Sequence, residues 1–442
     1  MDEARQRPLR VVIVGAGFAG MQCARALAHA PVEVTILDRT NHHLFQPLLY
    51  QVATAALSPG DVAWPVRSVF RNQRNATVLM AEVTGVDTAS RVVLTAGGDR
   101  VPYDALVIAT GATHSYFGRD DWAEFAPGLK TVEDATAIRR RLLLAFEAAE
   151  VAPDEASRRR LLTFAVIGGG PTGVELAGAL AEVAHRTLNG EFRRSDPGRA
   201  RIVLIEAGPR LLPAFPEDLA AEAARSLEHM GVEVRTETRV TGVDRAGVDC
   251  GDERIDASSV VWAAGVQASA AGEWLDAPRD RARRIQVGPD LTVPGHPEIF
   301  AAGDTVTATD GTGRQVPGIA PAAKQMGRYI GEVLAARATG GPAPGPFAYT
   351  DHGSLATVGR RSAVVSLRSG VKLRGVIGWW FWGIAHVFYL IGFRSRVVVS
   401  FIWLWSYLTG QRGARLITGA APPRVGEGTG FAAADDRVDR AA

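Results

Sequence analysis

The sequence predicts an α/β fold with two βαβ units and a separate aromatic C-terminal region, and three observations carry that prediction. A β-branched run at 9–14 enters a glycine turn at 15–20, followed by a helix at 24–30 and a second strand at 32–37 that ends on Asp38. The same order recurs further on: a strand at 163–167, a glycine turn at 168–173, a long helix, and a strand at 201–205 that ends on Glu206. Two apolar, tryptophan-rich runs then fill residues 376–393 and 397–408, with Arg394 and Arg396 between them. Strand, turn, helix and strand in that order describe parallel pairing through a crossover helix. The copies lie about 150 residues apart, which indicates a duplicated domain rather than a short-period solenoid.

A chain of 442 residues exceeds one ordinary core and should divide into two or three domains. With 47% hydrophobic residues, 22% charged residues and a net charge of +2, nothing in the balance calls for nucleic acid. Lys130, Lys324 and Lys372 are the only lysines, and the arginine excess reads as coding bias rather than a phosphate-binding surface. The two cysteines, Cys23 and Cys250, form no CxxC pair, which excludes a redox dithiol and gives no support to a metal site. Cys23 falls in the first helix, where a buried, inert thiol is expected. The N-terminus is short and polar with no secretory signal, so the body of the protein is expected to face the cytoplasm. Residues 185–200 read as a surface loop, 340–346 as a linker and 353–367 as β-like, while the tail at 420–442 is expected to be disordered.

Gly15-Ala16-Gly17-Phe18-Ala19-Gly20 is a GxGxxG turn between an apolar strand and a helix. Gly15 allows the tight turn, Gly17 lets backbone approach a pyrophosphate, and Gly20 lets helix pack on strand. The helix N-terminus offers free N–H groups and positive potential to phosphates. Asp38 stands where it can accept hydrogen bonds from a ribose, with Arg39 beside it. Gly168-Gly169-Gly170-Pro171-Thr172-Gly173 repeats the pattern with Glu206 as its acid. An acid there suits the free 2′-hydroxyl of NADH and repels the 2′-phosphate of NADPH; Arg210 argues the other way and leaves NADH favoured. Both units therefore read as Rossmann-like dinucleotide-binding domains.

Three further strands end in small-residue turns: Leu106-Val107-Ile108-Ala109-Thr110-Gly111, Val260-Val261-Trp262-Ala263-Ala264-Gly265, and Ile299-Phe300-Ala301-Ala302-Gly303-Asp304. Singly, each could be a core strand meeting a turn. With the two glycine loops and in this order, they resemble the two-dinucleotide flavoprotein family that includes the disulfide reductases, from residue 10 to about 330. That resemblance implies FAD on the first loop, with Asp304 at its ribityl chain and Ala109, Thr110 and Gly111 facing it. It implies NADH on the second loop, with Ala264 and Gly265 facing it. The FAD domain is then discontinuous (8–118 and 296–340), the NADH domain (119–295) is inserted into it, and 347–418 forms a C-terminal membrane-docking region.

The acceptor is read from three features, and the resemblance adds a proton-relay role for one glutamate. Asn41-His42-His43-Leu44-Phe45-Gln46-Pro47-Leu48-Leu49-Tyr50-Gln51 and the following 53–59 resemble the flavin-side loop of type II NADH:quinone oxidoreductases, which implies that Gln46 and Pro47 lie against FAD. The segment 316–327 resembles that family's quinone-site motif, Ala-Gln-x-Ala-x-Gln. Ala320, Ala323 and Gln325 match it, while Pro321 replaces the first glutamine. Gln325 is implied to hydrogen-bond a quinone carbonyl; the plainer alternative is a helix-surface glutamine. The resemblance also places Glu175, expected in the first helical turn, near the nicotinamide–flavin junction as a proton relay. The alternative is a glutamate that suits the helix dipole. Finally, the apolar run at 376–393 is barely long enough to span hydrocarbon and the run at 397–408 is too short. With tryptophans, tyrosines and arginine flanks, two amphipathic helices lying in the interface are expected. A buried helical pair or a homodimer interface stays open.

The combined reading is an enzyme passing two electrons from NADH through FAD to a quinone in the bilayer, without proton pumping, at the cytoplasmic face of the membrane. A soluble-acceptor reductase of the rubredoxin or ferredoxin type leaves the aromatic region unexplained, and a flavin-holding partner-binding protein without turnover stays open. A sulfide:quinone oxidoreductase needs the cysteine pair that this chain lacks.

Overall fold

A computed structural model describes residues 7–418, and the expected disordered tail at 420–442 lies outside them. The chain divides into two compact units. One takes residues up to Phe45, Ala63–Ser115 and Gly265–Gly353; the other takes Gln46–Val62, Tyr116–Ala264 and residues from Ser354 onward.

The first unit is built on a six-stranded sheet in the order Thr292–Val293, His296–Ala301, Ala105–Ile108, Leu9–Val14, Val32–Asp38, Ala76–Met80. All neighbours run parallel except the antiparallel edge pair. Val11, Val12 and Ile13 are almost wholly inaccessible, as befits a central strand covered on both faces. The first glycine turn opens the helix Phe18–Ala26 rather than a helix at 24–30. The turn uses only residues 15–17: Gly17 is the N-cap, so Phe18 already lies in the first turn of helix. The long helix Ala320–Thr339 packs on this one so tightly that a Cβ on Gly327 would strike the Ala19 carbonyl. Cys23 lies fully buried there, its thiol pushed up to about 12 by burial, in keeping with an inert group.

The second unit carries a four-stranded parallel sheet in the order Val232–Arg235, Arg201–Ile205, Thr163–Ile167, Ser259–Trp262. Tyr116, Trp122 and Trp262 plug one side of it together with Val203 and Ile205. Thr131 and Asp134 form a reciprocal capping box that starts the long helix Val132–Glu150. A three-stranded antiparallel sheet follows (Ser354–Thr357, Ala363–Ser366, Lys372–Arg374), and then the helices Gly375–Tyr389 and Phe393–Thr409.

The inserted unit was expected to run to residue 295, but the chain changes units at Gly265. The cause is pairing: Val266–Ala268 forms an antiparallel ribbon with Ala112–His114, and Ile285–Gln286 pairs with Val306–Thr307, which ties 265–295 to the first unit. Gln46 and Pro47 fall in the second unit, not with the first glycine turn.

Among the described residues no helix is long and apolar enough to cross a membrane. The two aromatic helices bury one side and expose the other. Trp379, Trp382 and Val399 turn inward, whereas Ile377, Trp380, Ile384 and Phe388 form an outward row at helical spacing. Phe393, Val397, Phe401, Leu404, Trp405 and Leu408 form a second outward row. Each helix thus presents an apolar stripe to its surroundings, as a helix lying in a membrane interface does.

Candidate functional site

In the first unit every expected flavin residue of the sheet sits at the carboxyl ends of its strands, where open α/β sheets bind ligands. Leu9–Val14 ends at the glycine turn, Ala105–Ile108 at Ala109-Thr110-Gly111, and His296–Ala301 just before Asp304. Gly15 has φ +104°, a conformation that a side chain rarely adopts. A Cβ on Gly20 would strike the Gly15 carbonyl oxygen, whereas Gly17 has nothing nearer than the Ala109 oxygen at 4.0 Å. Gly17 is exposed, its helix has no side-chain cap and no acid in the first turn, so the helix amides are free to meet an anion. The residues present fit a pyrophosphate.

Asp38 does more than wait for a ribose. Its Oδ2 accepts from the Ala16 amide at 2.6 Å and its Oδ1 from the Thr40 amide and hydroxyl at 2.7 and 2.8 Å, so the acid fixes the turn itself. Arg39, next to it, is exposed. His43, missed in the sequence reading, is 2% exposed, with Nδ1 bonded to the Ala16 oxygen at 2.8 Å and Nε2 without a partner. Burial holds its pKa down to about 4, so at neutral pH the ring is uncharged. Phe18 stands edge-on to it at 5.1 Å. Thr110 Oγ1 lies 2.6 Å from Ser269 Oγ and 3.3 Å from Thr305 Oγ1, so three hydroxyls join beside Asp304. Ser269 and Thr305 carry no sequence signal, since hydroxyls of this kind are common in loops.

Gln325 has both ends of its amide engaged with one residue: Nε2 donates to the Thr350 oxygen at 2.9 Å and Oε1 accepts from the Thr350 amide at 2.8 Å. A quinone carbonyl would have to compete with that pair. Pro321 occupies the start of the helix Ala320–Thr339, where its missing N–H costs nothing, and Ala323 packs beneath Gly303.

The second unit repeats the cradle. Gly168 has φ +113°, a Cβ on Gly173 would strike the Gly168 oxygen, and a Cβ on Gly170 would meet open space. Pro171 and Thr172 are exposed at the helix start, which again has no acid in its first turn. Glu206 takes the role of Asp38, accepting from the Gly169 amide through Oε2 and from the Gly208 amide through Oε1, each at 2.6 Å. Arg210 is turned away: its guanidinium donates to the Phe215 and Pro213 oxygens at 2.8 and 3.0 Å. Ala264 is partly exposed at the end of Ser259–Trp262, and Gly265 begins the next segment. Glu206→Gln should narrow the NADH-over-NADPH ratio of kcat/KM by at least about tenfold, because one charge facing the 2′ position is lost. An unchanged ratio in steady-state assays removes Glu206 from cofactor choice.

Glu175 was expected in the first helical turn, but the helix Pro171–Glu182 begins at Pro171, which puts Glu175 in the second turn, past reach of the exposed helix end. It is 8% exposed, and burial pushes its carboxyl up to about 8. The Thr357 amide donates to Oε1 at 3.3 Å, and the Trp382 side chain also favours the charged form without closing a bond of good geometry. A carboxyl that keeps its proton at neutral pH is equipped to give it up. One helical stretch further on, Glu182 pairs with Arg412 at 2.8 Å in a site where both are buried, and Arg412 also donates to the Thr54 oxygen at 3.0 Å. Sequence reasoning had no signal for that pair, whose members lie 230 positions apart.

Residues 9–327 match the pyridine nucleotide-disulphide oxidoreductase family. Over 423 residues, 92% of this chain and 90% of the relative, the sequence is 45% identical to the type II NADH:quinone oxidoreductase Ndh of Mycobacterium tuberculosis. It is 44% identical to NdhA of the same organism, over 92% of this chain and 89% of the relative. The fold matches a solved structure of NDH2 from Plasmodium falciparum in complex with NADH, with a TM-score of 0.83, 20% identity, and coverage of 92% of this chain and 99% of the other. The family match ends at residue 327, before the aromatic region. The chain belongs to the pyridine nucleotide-disulphide oxidoreductase family and, within it, to the type II NADH:quinone oxidoreductases.

Proposed function

We infer that this protein is an FAD-dependent, non-proton-pumping NADH:quinone oxidoreductase, carrying out NADH + H⁺ + quinone → NAD⁺ + quinol. The observation that carries the reading is the duplicated cradle, each with its acid tied to the glycine turn, in a chain 45% identical along its length to an enzyme of that name. The chemistry supplied by bound FAD is acceptance of a hydride and return of two electrons. The protein holds its two nucleotides by backbone amides at two helix N-termini, leaves the 2′-hydroxyl of NADH an acid rather than a cation, and keeps a proton on the Glu175 carboxyl.

The substrate quinone is dissolved in lipid, and the outward apolar rows of the two C-terminal helices support docking on the bilayer rather than crossing it. The cytoplasmic face is the side on which NADH is supplied. Deleting residues from about 370 onward would also strip Trp382 from Glu175, so the docking surface is better tested by charge. Ile384→Asp combined with Phe401→Asp should lower the fraction bound to phospholipid vesicles at least about tenfold. Undiminished sedimentation with vesicles would assign the rows another purpose. For the reaction itself, NADH oxidation by the purified protein should depend on an added short-chain quinone and run far more slowly with NADPH; NADH oxidation that ignores quinone would overturn the reading.

A further inference from the structure

His43 lies on the short strand His42–Leu44, which pairs antiparallel with Ala63–Pro65. Side chains alternate along a strand, and of these three only His43 is fully buried. Its Nδ1 meets the Ala16 oxygen at 2.8 Å. Ala16 is thereby held at both ends, because its amide donates to Asp38 at 2.6 Å. A carbonyl oxygen can only accept, so Nδ1 carries the ring hydrogen. The buried ring is uncharged, which leaves Nε2 as a bare lone pair. That nitrogen is buried and has no hydrogen-bond partner among the described residues. Lys324 and Arg25 act on the ring by charge without bonding to it, and Phe18 closes in at 5.1 Å. A buried acceptor without a donor is costly, and this one stands beside a ligand cradle.

The ring touches the first glycine turn, where the amides opening the helix Phe18–Ala26 fit a pyrophosphate. A phosphate oxygen at neutral pH has no hydrogen to give, and its charge repels a lone pair. The pyrophosphate of FAD is flanked by a ribose on one side and the ribityl chain on the other, and both carry hydroxyls. We propose that His43 Nε2 accepts a hydrogen bond from one of these sugar-chain hydroxyls of bound FAD, which makes His43 a positioning residue of the first cradle. One ring nitrogen then holds the turn and the other holds the ligand. No covalent bond changes and no proton is transferred. His42, its neighbour, engages Asn41 instead, with Nδ1 3.1 Å from Asn41 Oδ1.

The inference rests on FAD occupying the first turn, and the experiment separates the two. The full-length protein is loaded in turn with FAD, with FAD lacking its ribose hydroxyls and with FAD lacking its ribityl hydroxyls. His43→Asn keeps an N–H for the Ala16 oxygen where Nδ1 stood, and removes the acceptor. The dissociation constant for FAD, read from flavin fluorescence, should rise about tenfold in His43→Asn, the equivalent of one buried hydrogen bond. For one of the two deoxy flavins, the loss of affinity relative to FAD should be about tenfold smaller in His43→Asn than in the wild type. Which flavin it is assigns the hydroxyl to the ribose or to the ribityl chain. In wild-type protein with isotope-labelled histidine nitrogens, the Nε2 resonance of His43 should be that of an unprotonated nitrogen. It should move when FAD is exchanged for that same deoxy flavin. The resonance is assigned by its loss in His43→Asn, or in His43→Gln where the first variant does not fold. An Nε2 that carries a hydrogen, or whose resonance is the same with all three flavins, overturns the inference. So does a penalty for both deoxy flavins that His43→Asn leaves undiminished. Wild-type protein that takes up no FAD refutes instead the placing of FAD on this turn.

Discussion

Gly17→Val protein should purify almost colourless, with less than about a tenth of the FAD content of the wild type. Gly17 has φ −72°, which a side-chain-bearing residue adopts, and a Cβ there would meet only the Ala109 oxygen, at 4.0 Å, so the backbone tolerates a side chain at this position. What the branch would occupy is the exposed space over the amides of the helix Phe18–Ala26, where a pyrophosphate must come within hydrogen-bond distance. Gly20 would be a poorer choice, since any Cβ there strikes the Gly15 oxygen and loss of FAD could not be told from loss of fold. The measurement is the flavin absorbance per protein, with circular dichroism to verify folding. The thermal midpoint should fall by the amount that bound FAD contributes through mass action, and adding FAD should not restore it. A yellow, fully loaded Gly17→Val protein would show that this turn is not the flavin cradle.

Glu175→Gln should lower the quinone-dependent kcat at pH 7 at least about tenfold, since a positioned proton donor contributes upward of a hundredfold in many enzymes. The amide keeps the acceptor oxygen for the Thr357 amide, so the surrounding fold is preserved. Because burial holds the carboxyl up to about 8, it is largely protonated at neutral pH. A step in which it donates should therefore slow as pH rises through about 8, and the variant should lack that limb. Stability moves in the same direction. The folded pKa is raised above the ordinary 4.5, so the contribution to folding is complete below 4.5 and is lost as pH rises toward about 8. The thermal midpoint of the wild type should fall relative to Glu175→Gln across that window. Parallel midpoints from pH 4 to about 9 would show that the carboxyl titrates normally.

The sheet-end motifs were legible because their chemistry is local. A glycine turn between a β-branched strand and a helix, closed by an acid at the next strand end, needs only about thirty consecutive residues to be recognised. Asp38 and Glu206 were identified in this way, although their bonds to the Ala16 and Gly169 amides were not foreseen. The domain boundary was not legible, because Val266–Ala268 chooses its partner 154 residues away at Ala112–His114, and no periodicity encodes that choice. Gln325 illustrates the same limit at the level of one side chain: its motif position was readable, but its double bond to Thr350 was not.

By itself, then, the sequence determined the two glycine turns and the acids that close them, the absence of a CxxC pair and the aromatic character of the C-terminal region, since each depends on residue type at short spacing. The tertiary structure alone decided which tryptophans face outward and which roof over Glu175, and that this carboxyl keeps its proton. The physical reason is desolvation: a carboxyl's proton affinity is set by which groups, hundreds of residues distant, remove water and supply donors around it.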